Sequence, residues 1–289
     1  MSLVRISASG LAYDDQTYKD MARLLPGRRD LFRAGEDMSG HTSFKVGGPA
    51  DCWIAPTDED CLREVLQTAR ANGIRTTVLG RGCNVIVSDE GIRGLVIQLQ
   101  DCMDEIEIIE PKALYKAIED NRSVMDALPL TDRTIALRVG AGARLQQASR
   151  EALELGLTGL EFASGIPGSC GGAVFMNAGA YGGAMEGVVG VARYLDEAGK
   201  MQLAVGDQLD FGYRHSLFRS NNGIITRITF LLLPGDQAQI SQLMEDFQKR
   251  RESSQPLDYP SAGSVFKRPT GYYAGKLIMD SGLKGTSVG

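Results

Sequence analysis

The stretch SGIPGSCGGAVFMNAGAYGG, residues 164–183, constrains the fold of this 289-residue chain more than any other. It holds seven glycines and not one charged side chain. A glycine where alanine would serve costs roughly 0.5–1 kcal/mol in a regular element. Seven of them make sense where bare backbone must come close to something, either another strand or a flat ligand.

Composition narrows the partners of such a surface. The chain carries 31 Lys and Arg against 36 Asp and Glu, a formal charge of −5, without a basic run. That argues against nucleic acid or an anionic membrane as the main partner. No apolar run approaches the ~18 residues of a membrane span, and the opening MSLVRISASGLAYDDQ has no continuous apolar core of a secretory signal. Five cysteines (Cys52, Cys61, Cys83, Cys102 and Cys170), with no C-x-x-C pair, point to a reducing cytoplasm and to neither a disulfide framework nor a zinc site. With only His41 and His215, histidine-based metal or triad chemistry is not expected.

Periodicity predicts a mixed α+β chain. After a polar lead with a weak helical pattern at YKDMARLL, the stretch TDEDCLREVLQTARANG reads as a helix. Its start resembles a capping box of Thr57 with Asp60, its stripe is Leu62, Val65, Leu66 and Ala69, and Gly73 stops it. RTTVL, VIV, GLVIQL and IALRV read as strands, RLQQASREALELG as a helix, and ARYLDEAGKMQLAV as a hairpin turning at EAGK. GIITRITFLLLPGD is a long buried strand. Ile240, Leu243, Met244 and Phe247 then mark another helix, and AGKLIMDSG a last one. Strand–turn–strand connections favour antiparallel or mixed sheets.

LGRGCNVIV tempts a dinucleotide-binding reading, but the third glycine position is Val85 and a strand follows where a helix is needed. A tight Gly-x-Gly turn can still aim successive N–H groups at a pyrophosphate; a plain hairpin turn is the other reading. FGYRHSLF sets Tyr213, Arg214, His215 and Ser216 among aromatics, and SAGSVFKRP places Ser264 beside glycine with Lys267 and Arg268 beyond. Each reads either as a solvated turn or as a cationic site for an anionic ligand.

Five blocks in order then carry a resemblance: HTSFKVGGPAD (41–51), LGRGCNVIVSDEGIRG (79–94), GLEFASGIPGSCGGAVFMNAGAYG (159–182), FGYRHSLF (211–218), and SAGSVFKRP with YAGKLIMDSGLKG (261–285). Together they closely resemble the UDP-N-acetylenolpyruvoylglucosamine reductase family, in its shorter type. The resemblance implies an α+β chain with the two-lobed FAD-binding fold of the vanillyl-alcohol oxidase/p-cresol methylhydroxylase type, plus a smaller C-terminal substrate-binding α/β domain. It divides the chain into a lead (1–37), an FAD-binding domain (38–236, lobes 38–100 and 135–236) and a substrate-binding domain (237–289). Residues about 104–134 have no family counterpart, and Glu110-Pro111 with Leu114, Tyr115 and Ile118 suggests an inserted amphipathic helix.

The resemblance also implies roles. Gly80, Arg81, Gly82, Cys83 and Asn84 would wrap the diphosphate of non-covalent FAD. Gly165, Ile166, Pro167, Gly168, Ser169, Gly171 and Gly172 would lie along diphosphate and flavin, where side chains would block a planar ring; other glycines of the run would serve packing alone. NADPH would be the co-substrate and an enolpyruvyl UDP-sugar the substrate. Ser264 matches the proton donor to C2, and Arg214 the partner of the substrate carboxylate. Asn177, Tyr181, Tyr213 and Lys267 are candidates for substrate contacts. Cys83 stands where serine is common and puts an oxidisable sulfur in the turn; Cys170, His215 and Arg268 also depart from the usual pattern. The family's catalytic glutamate is expected past Gly289, so no glutamate here is assigned to it. Two other classes stay open: another FAD oxidase of this fold, and a non-catalytic flavin or nucleotide-sugar binder.

Overall fold

The computed structural model describes residues 4–6, 14–100, 102–109 and 130–287. The helix expected around 110–118 falls outside them.

The first sheet is built on β3 (Pro49–Ile54), which pairs antiparallel with β2 (Phe32–Asp37) and parallel with β6 (Ile92–Gln98); β6 pairs parallel with β4 (Thr76–Leu79). Five of the six residues of PADCWI are apolar because β3 is covered on both faces, and the sixth, buried Asp51, is paired with Arg93 at 2.7 Å. Cys52 and Ile54 face the helices α1 (Gln16–Leu24) and α2 (Glu59–Ala71), in one cluster with Met21, Leu62 and Val65. Ala50 and Trp53 face the other way, onto Met38, Val87 and Val96. Thus part of the polar lead belongs to this sheet as its edge strand.

The α2 boundary differs from expectation by one residue. Asp58, not Thr57, is the N-cap: its carboxylate accepts from the Cys61 N–H at 2.7 Å, while the Thr57 hydroxyl donates to Asp58 at 2.9 Å. The Cys61 amide, helped by that hydroxyl, holds the Asp58 carboxyl below its ordinary value.

The second sheet runs antiparallel in the order β10 (Met201–Val205), β9 (Val189–Leu195), β11 (Ile224–Pro234), β8 (Ile135–Gly140), β7 (Ile106–Ile109). The long strand GIITRITFLLLP pairs on both edges, with Ile228 opposite both Ala192 and Val139. Ile225, Ile228, Phe230 and Leu232 enter the largest core, shared with helix α3 (Leu145–Glu154) and with α4 (Cys170–Phe175) from the glycine-rich run. The expected hairpin at EAGK is present, closed by Asp196 N–H to the Lys200 carbonyl at 2.9 Å.

Helix α5 (Gln237–Ser254) starts at Asp236, whose carboxylate accepts from the Gln239 N–H. Its apolar stripe is only half used: Ile240 is buried, but Leu243 is 42% exposed. Toward its C-terminal end, Gln248 and Arg251 line a cleft, together with Gln255 just beyond it. Among the described residues from 255 onward, only Ala262 is buried, and no residue of helix α6 (Ala274–Asp280) is.

Candidate functional site

Segments distant in sequence meet in one cleft of about 1760 Å³. The turn 80–84 is no hairpin turn: β4 before it pairs with β6, while β5 (Val85–Val87) after it pairs parallel with β1 (Val4–Ile6). It leaves the first sheet at the edge that faces the glycine-rich run. A Cβ on Gly80 would run into Ser169 Oγ, so the bare backbone of this turn lies against the Ser169 side chain. At Gly82, with φ +64°, a Cβ would run into the His41 carbonyl.

A buried amide holds this turn from behind. Gln98 is fully buried at the end of β6; its Nε2 donates to the Gly80 carbonyl at 3.0 Å, and its Oε1 accepts from Trp53 Nε1–H at 3.0 Å. Sequence reading missed Gln98, although a lone amide in the apolar strand GLVIQL was a usable signal, since a buried polar group needs partners. It also gave no role to residues 41–45. Ser43 N–H donates to the Gly82 carbonyl at 3.1 Å, and Lys45, held at φ +58°, lines the cleft.

The glycines of residues 164–183 divide by what a side chain would meet. At Gly179 and Gly183 a Cβ would strike the neighbouring strand or Phe162, and at Gly171 it would press on Ala141 at 2.9 Å. Those glycines serve packing. At Gly168, φ +126°, the nearest atom to a Cβ is Cys83 Cβ at 4.0 Å, so a side chain there would occupy the cleft itself. Gly172 meets only its own cap, Ser169 Oγ at 3.2 Å.

Of the residues singled out from sequence, 80–84, 165–169, 171, 172, Arg214 and Ser264 all line this cleft, while Asn177, Tyr181, Tyr213 and Lys267 do not. Arg214 sits at φ +57° and Asn177 at φ +42°, conformations that cost a non-glycine roughly 1–2 kcal/mol each. Their contacts account for them. Arg214 Nη1 donates to the Asn177 carbonyl at 3.3 Å, and its guanidinium lies over the Tyr213 ring, 5.2 Å from the centroid. The buried Asn177 side chain donates to Glu186 and to the Gly212 carbonyl, and accepts from the Glu186 N–H. Its amide is committed within the protein. Tyr181 stacks on Phe247 at 4.4 Å, and Tyr213 accepts from the Arg268 N–H at 3.1 Å.

Charge and chemistry suit a flat, anionic ligand. Seven basic side chains line the cleft (Lys45, Arg70, Arg75, Arg81, Arg214, Arg219, Arg251) against three acids (Asp196, Glu197, Asp258), in a chain of net charge −5. A bare-backbone cradle beside a positive surface fits the ring and the diphosphate of FAD. Cys83, half-buried with Sγ 3.4 Å from the Arg81 carbonyl, has its thiol pushed up by burial, which works against the oxidation expected of it. Among the described residues no His, Cys, Asp and Glu group could hold a metal ion, and no helix is long and apolar enough to cross a membrane.

Comparison with known proteins agrees with this geometry. The FAD binding domain family matches residues 50–203, and the C-terminal domain of UDP-N-acetylenolpyruvoylglucosamine reductase matches residues 255–289. The UDP-N-acetylenolpyruvoylglucosamine reductase of Agathobacter rectalis is 44% identical over 88% of this chain and 77% of its own length. The crystal structure of the Thermus caldophilus UDP-N-acetylenolpyruvylglucosamine reductase superposes at TM-score 0.67 with 30% identity, covering 89% of this chain and 82% of that one. A VAO-type flavoprotein from Myceliophthora thermophila, 12% identical, shares the fold at TM-score 0.55 over 80% of this chain and 49% of its own. With the α+β architecture, the glycine cradle and these matches in agreement, the chain belongs to the UDP-N-acetylenolpyruvoylglucosamine reductase family.

Proposed function

We propose that this protein reduces the enolpyruvyl ether of a UDP-N-acetylglucosamine substrate to UDP-N-acetylmuramate, with NADPH as reductant, in the cytoplasm, as a step of peptidoglycan precursor synthesis. The observation that carries this reading is the meeting of Arg214 and Ser264 with the glycine cradle in a single cleft. Residues 38–236 are read as the FAD-binding domain and 237–289 as the substrate-binding domain. The two sheets on either side of the cleft and the largely exposed segment from residue 255 support that division.

In this reading residues 80–84 and 165–172 hold the cofactor through backbone groups. The chemistry a bound FAD supplies is hydride carriage from NADPH to C3 of the enol ether. Ser264 Oγ–H then gives its proton to C2 and regains one from solvent. A serine is a weak acid, but a C2 carbanion is a strong base and needs only a positioned donor. Arg214, held by the Asn177 carbonyl and the Tyr213 ring, presents its fork to the substrate carboxylate as charge grows there. Asn177 acts by positioning Arg214, since its own amide is committed to Glu186 and Gly212.

Anaerobic titration followed at the oxidised flavin band tests this. NADPH should bleach the flavin, and the enolpyruvyl UDP-sugar should restore it. Bleaching by an alcohol or sugar would instead mark an oxidase, and bleaching by neither a non-catalytic binder.

A further inference from the structure

Ser264 is exposed. Residues 263–268 pack no buried side chain, and Val265, Phe266 and Lys267 are exposed as well. The loop is fixed at both ends. Upstream, Ser43 Oγ–H donates to the Ser261 carbonyl at 2.6 Å across 218 positions of sequence. Downstream, Arg268 N–H donates to Tyr213 Oη at 3.1 Å. The two anchors belong to opposite sides of the cleft. Ser43 follows the first sheet's edge strand, and its N–H is bonded to the Gly82 carbonyl of the turn 80–84; Tyr213 adjoins Arg214 in the second half.

We infer that Ser43 is a positioning residue for Ser264: one side chain and its own amide lock the loop that carries the proton donor to the turn that lines the cofactor cradle. Three neighbours give Ser43 a fixed place. Thr42 Oγ1 donates to the Val46 carbonyl at 2.9 Å, and Lys45 N–H to the Thr42 carbonyl at 3.2 Å. A Cβ on Gly47 (φ +139°) would press on Val87 at 2.8 Å, so the loop's far end is seated as well. Ser43 is therefore held by a closed loop, and its hydroxyl reaches across to residue 261 from a rigid base. Ser43 touches neither reacting atom; it acts through the position of Ser264. The inference rests on the functional reading above for what Ser264 does, but not for where the loop is held.

Two variants on the whole chain test it. Ser43→Ala removes the hydroxyl, with its 2.6 Å bond to Ser261 and its longer 3.4 Å contact to the Gly82 carbonyl, and keeps the 3.1 Å N–H bond to Gly82; Ser43→Thr keeps the hydroxyl. Hydrogen exchange should be about fivefold faster in Ser43→Ala at the Gly263 and Arg268 amides, the factor that one net hydrogen bond carries, and unchanged at the Ser43 and Gly48 amides. Ser43→Thr should restore the parental rates. In the two half-reactions, Ser43→Ala should slow flavin re-oxidation by the enolpyruvyl substrate about tenfold, within what a displaced general acid loses, and leave reduction by NADPH and bound FAD content as they were. Unchanged exchange at Gly263 and Arg268 would overturn the inference, as would equal slowing of both half-reactions or no rescue by threonine. A parental protein that NADPH does not bleach would defeat the functional reading, while the exchange measurement would still decide whether Ser43 holds the loop.

Discussion

The Gln98 side-chain amide donates to the Gly80 carbonyl at 3.0 Å from a position that solvent does not reach. With Trp53 bonded to its other end, it forms a three-residue relay from the core of the first sheet to the turn 80–84. Gln98→Leu preserves volume but strands the Trp53 N–H and the Gly80 carbonyl. It should destabilise the fold by about 1–3 kcal/mol and weaken FAD binding roughly tenfold. Thermal melting and flavin-fluorescence titration check the two separately, and an intact FAD affinity would detach Gln98 from the cofactor site.

Arg214→Lys keeps the charge but loses the planar fork held by the Asn177 carbonyl and the Tyr213 ring. Turnover should drop about 10- to 100-fold through weaker stabilisation of the growing carboxylate charge. FAD affinity should stay within about twofold, because the expected cofactor contacts lie elsewhere. Steady-state kinetics with a parallel FAD titration reads both; parental turnover would remove Arg214 from the chemistry.

Ser264→Ala should separate the half-reactions. Reduction by NADPH needs no proton from Ser264 and should keep its rate, whereas re-oxidation by the enolpyruvyl substrate should slow about 10²–10⁴-fold. Stopped-flow absorbance follows each alone. A serine with only a turn role would produce small, equal losses in both.

Much of this site was legible in the sequence, and the part that was not has a physical cause. The turn 80–84, the glycine run, Arg214 and Ser264 stand out because five blocks in order resemble a known family; local chemistry alone leaves a hairpin turn and solvated turns open. Gln98 was passed over although a lone amide in an apolar strand signals a buried partner, and Ser43 was not legible. Their roles rest on partners 18 and 218 positions away, and nothing local distinguishes a bridging serine from a solvated one. Helix α2 was readable to within one residue because two oxygens, Thr57 and Asp58, competed for the cap, and the carboxylate, the stronger acceptor, took it. Likewise the stripe of α5 gave the helix but not its half-exposed setting, since periodicity reports amphipathicity and not what covers the apolar face.

FAD should leave the protein intact on acid precipitation. Neither histidine lines the cleft: His41 Nε2 lies 2.8 Å from Glu36 with its ring against Trp53, and His215 Nε2 lies 2.9 Å from Asp210. All flavin absorbance should appear in the supernatant. Yellow pellet would point to a covalent bond, with His41 as the residue to map.

Thiol reactivity should report the burial of the cysteines. Cys52, Cys61, Cys102 and Cys170 are buried and Cys83 is half-buried, so a disulfide reagent at pH 8 should modify at most one thiol in the native protein and five after denaturation. Burial pushes the Cys170 thiol up to about 12, and burial together with nearby Asp51 does the same for Cys52. The unfolded chain would release these protons near 8.5. The folded state therefore holds them longer, and their contribution to stability is whole below about pH 8.5 and lost as pH climbs toward 12. Melting temperature should fall across that window, less steeply in Cys170→Ala.

The bond between Ser43 and the Ser261 carbonyl also sets an order of events during synthesis. The first sheet is complete once residue 98 has left the ribosome, but β8 waits for Ile224–Pro234 to arrive before its central pairing forms. The strap around Ser264 comes later still, and its anchor at Ser43 has by then been exposed for more than two hundred residues of elongation. The cradle segments 80–84 and 165–172 emerge well before that strap, so the flavin site does not wait for Ser264 to be anchored. Flavin bound there stabilises the folded chain by mass action, whether or not the strap has closed.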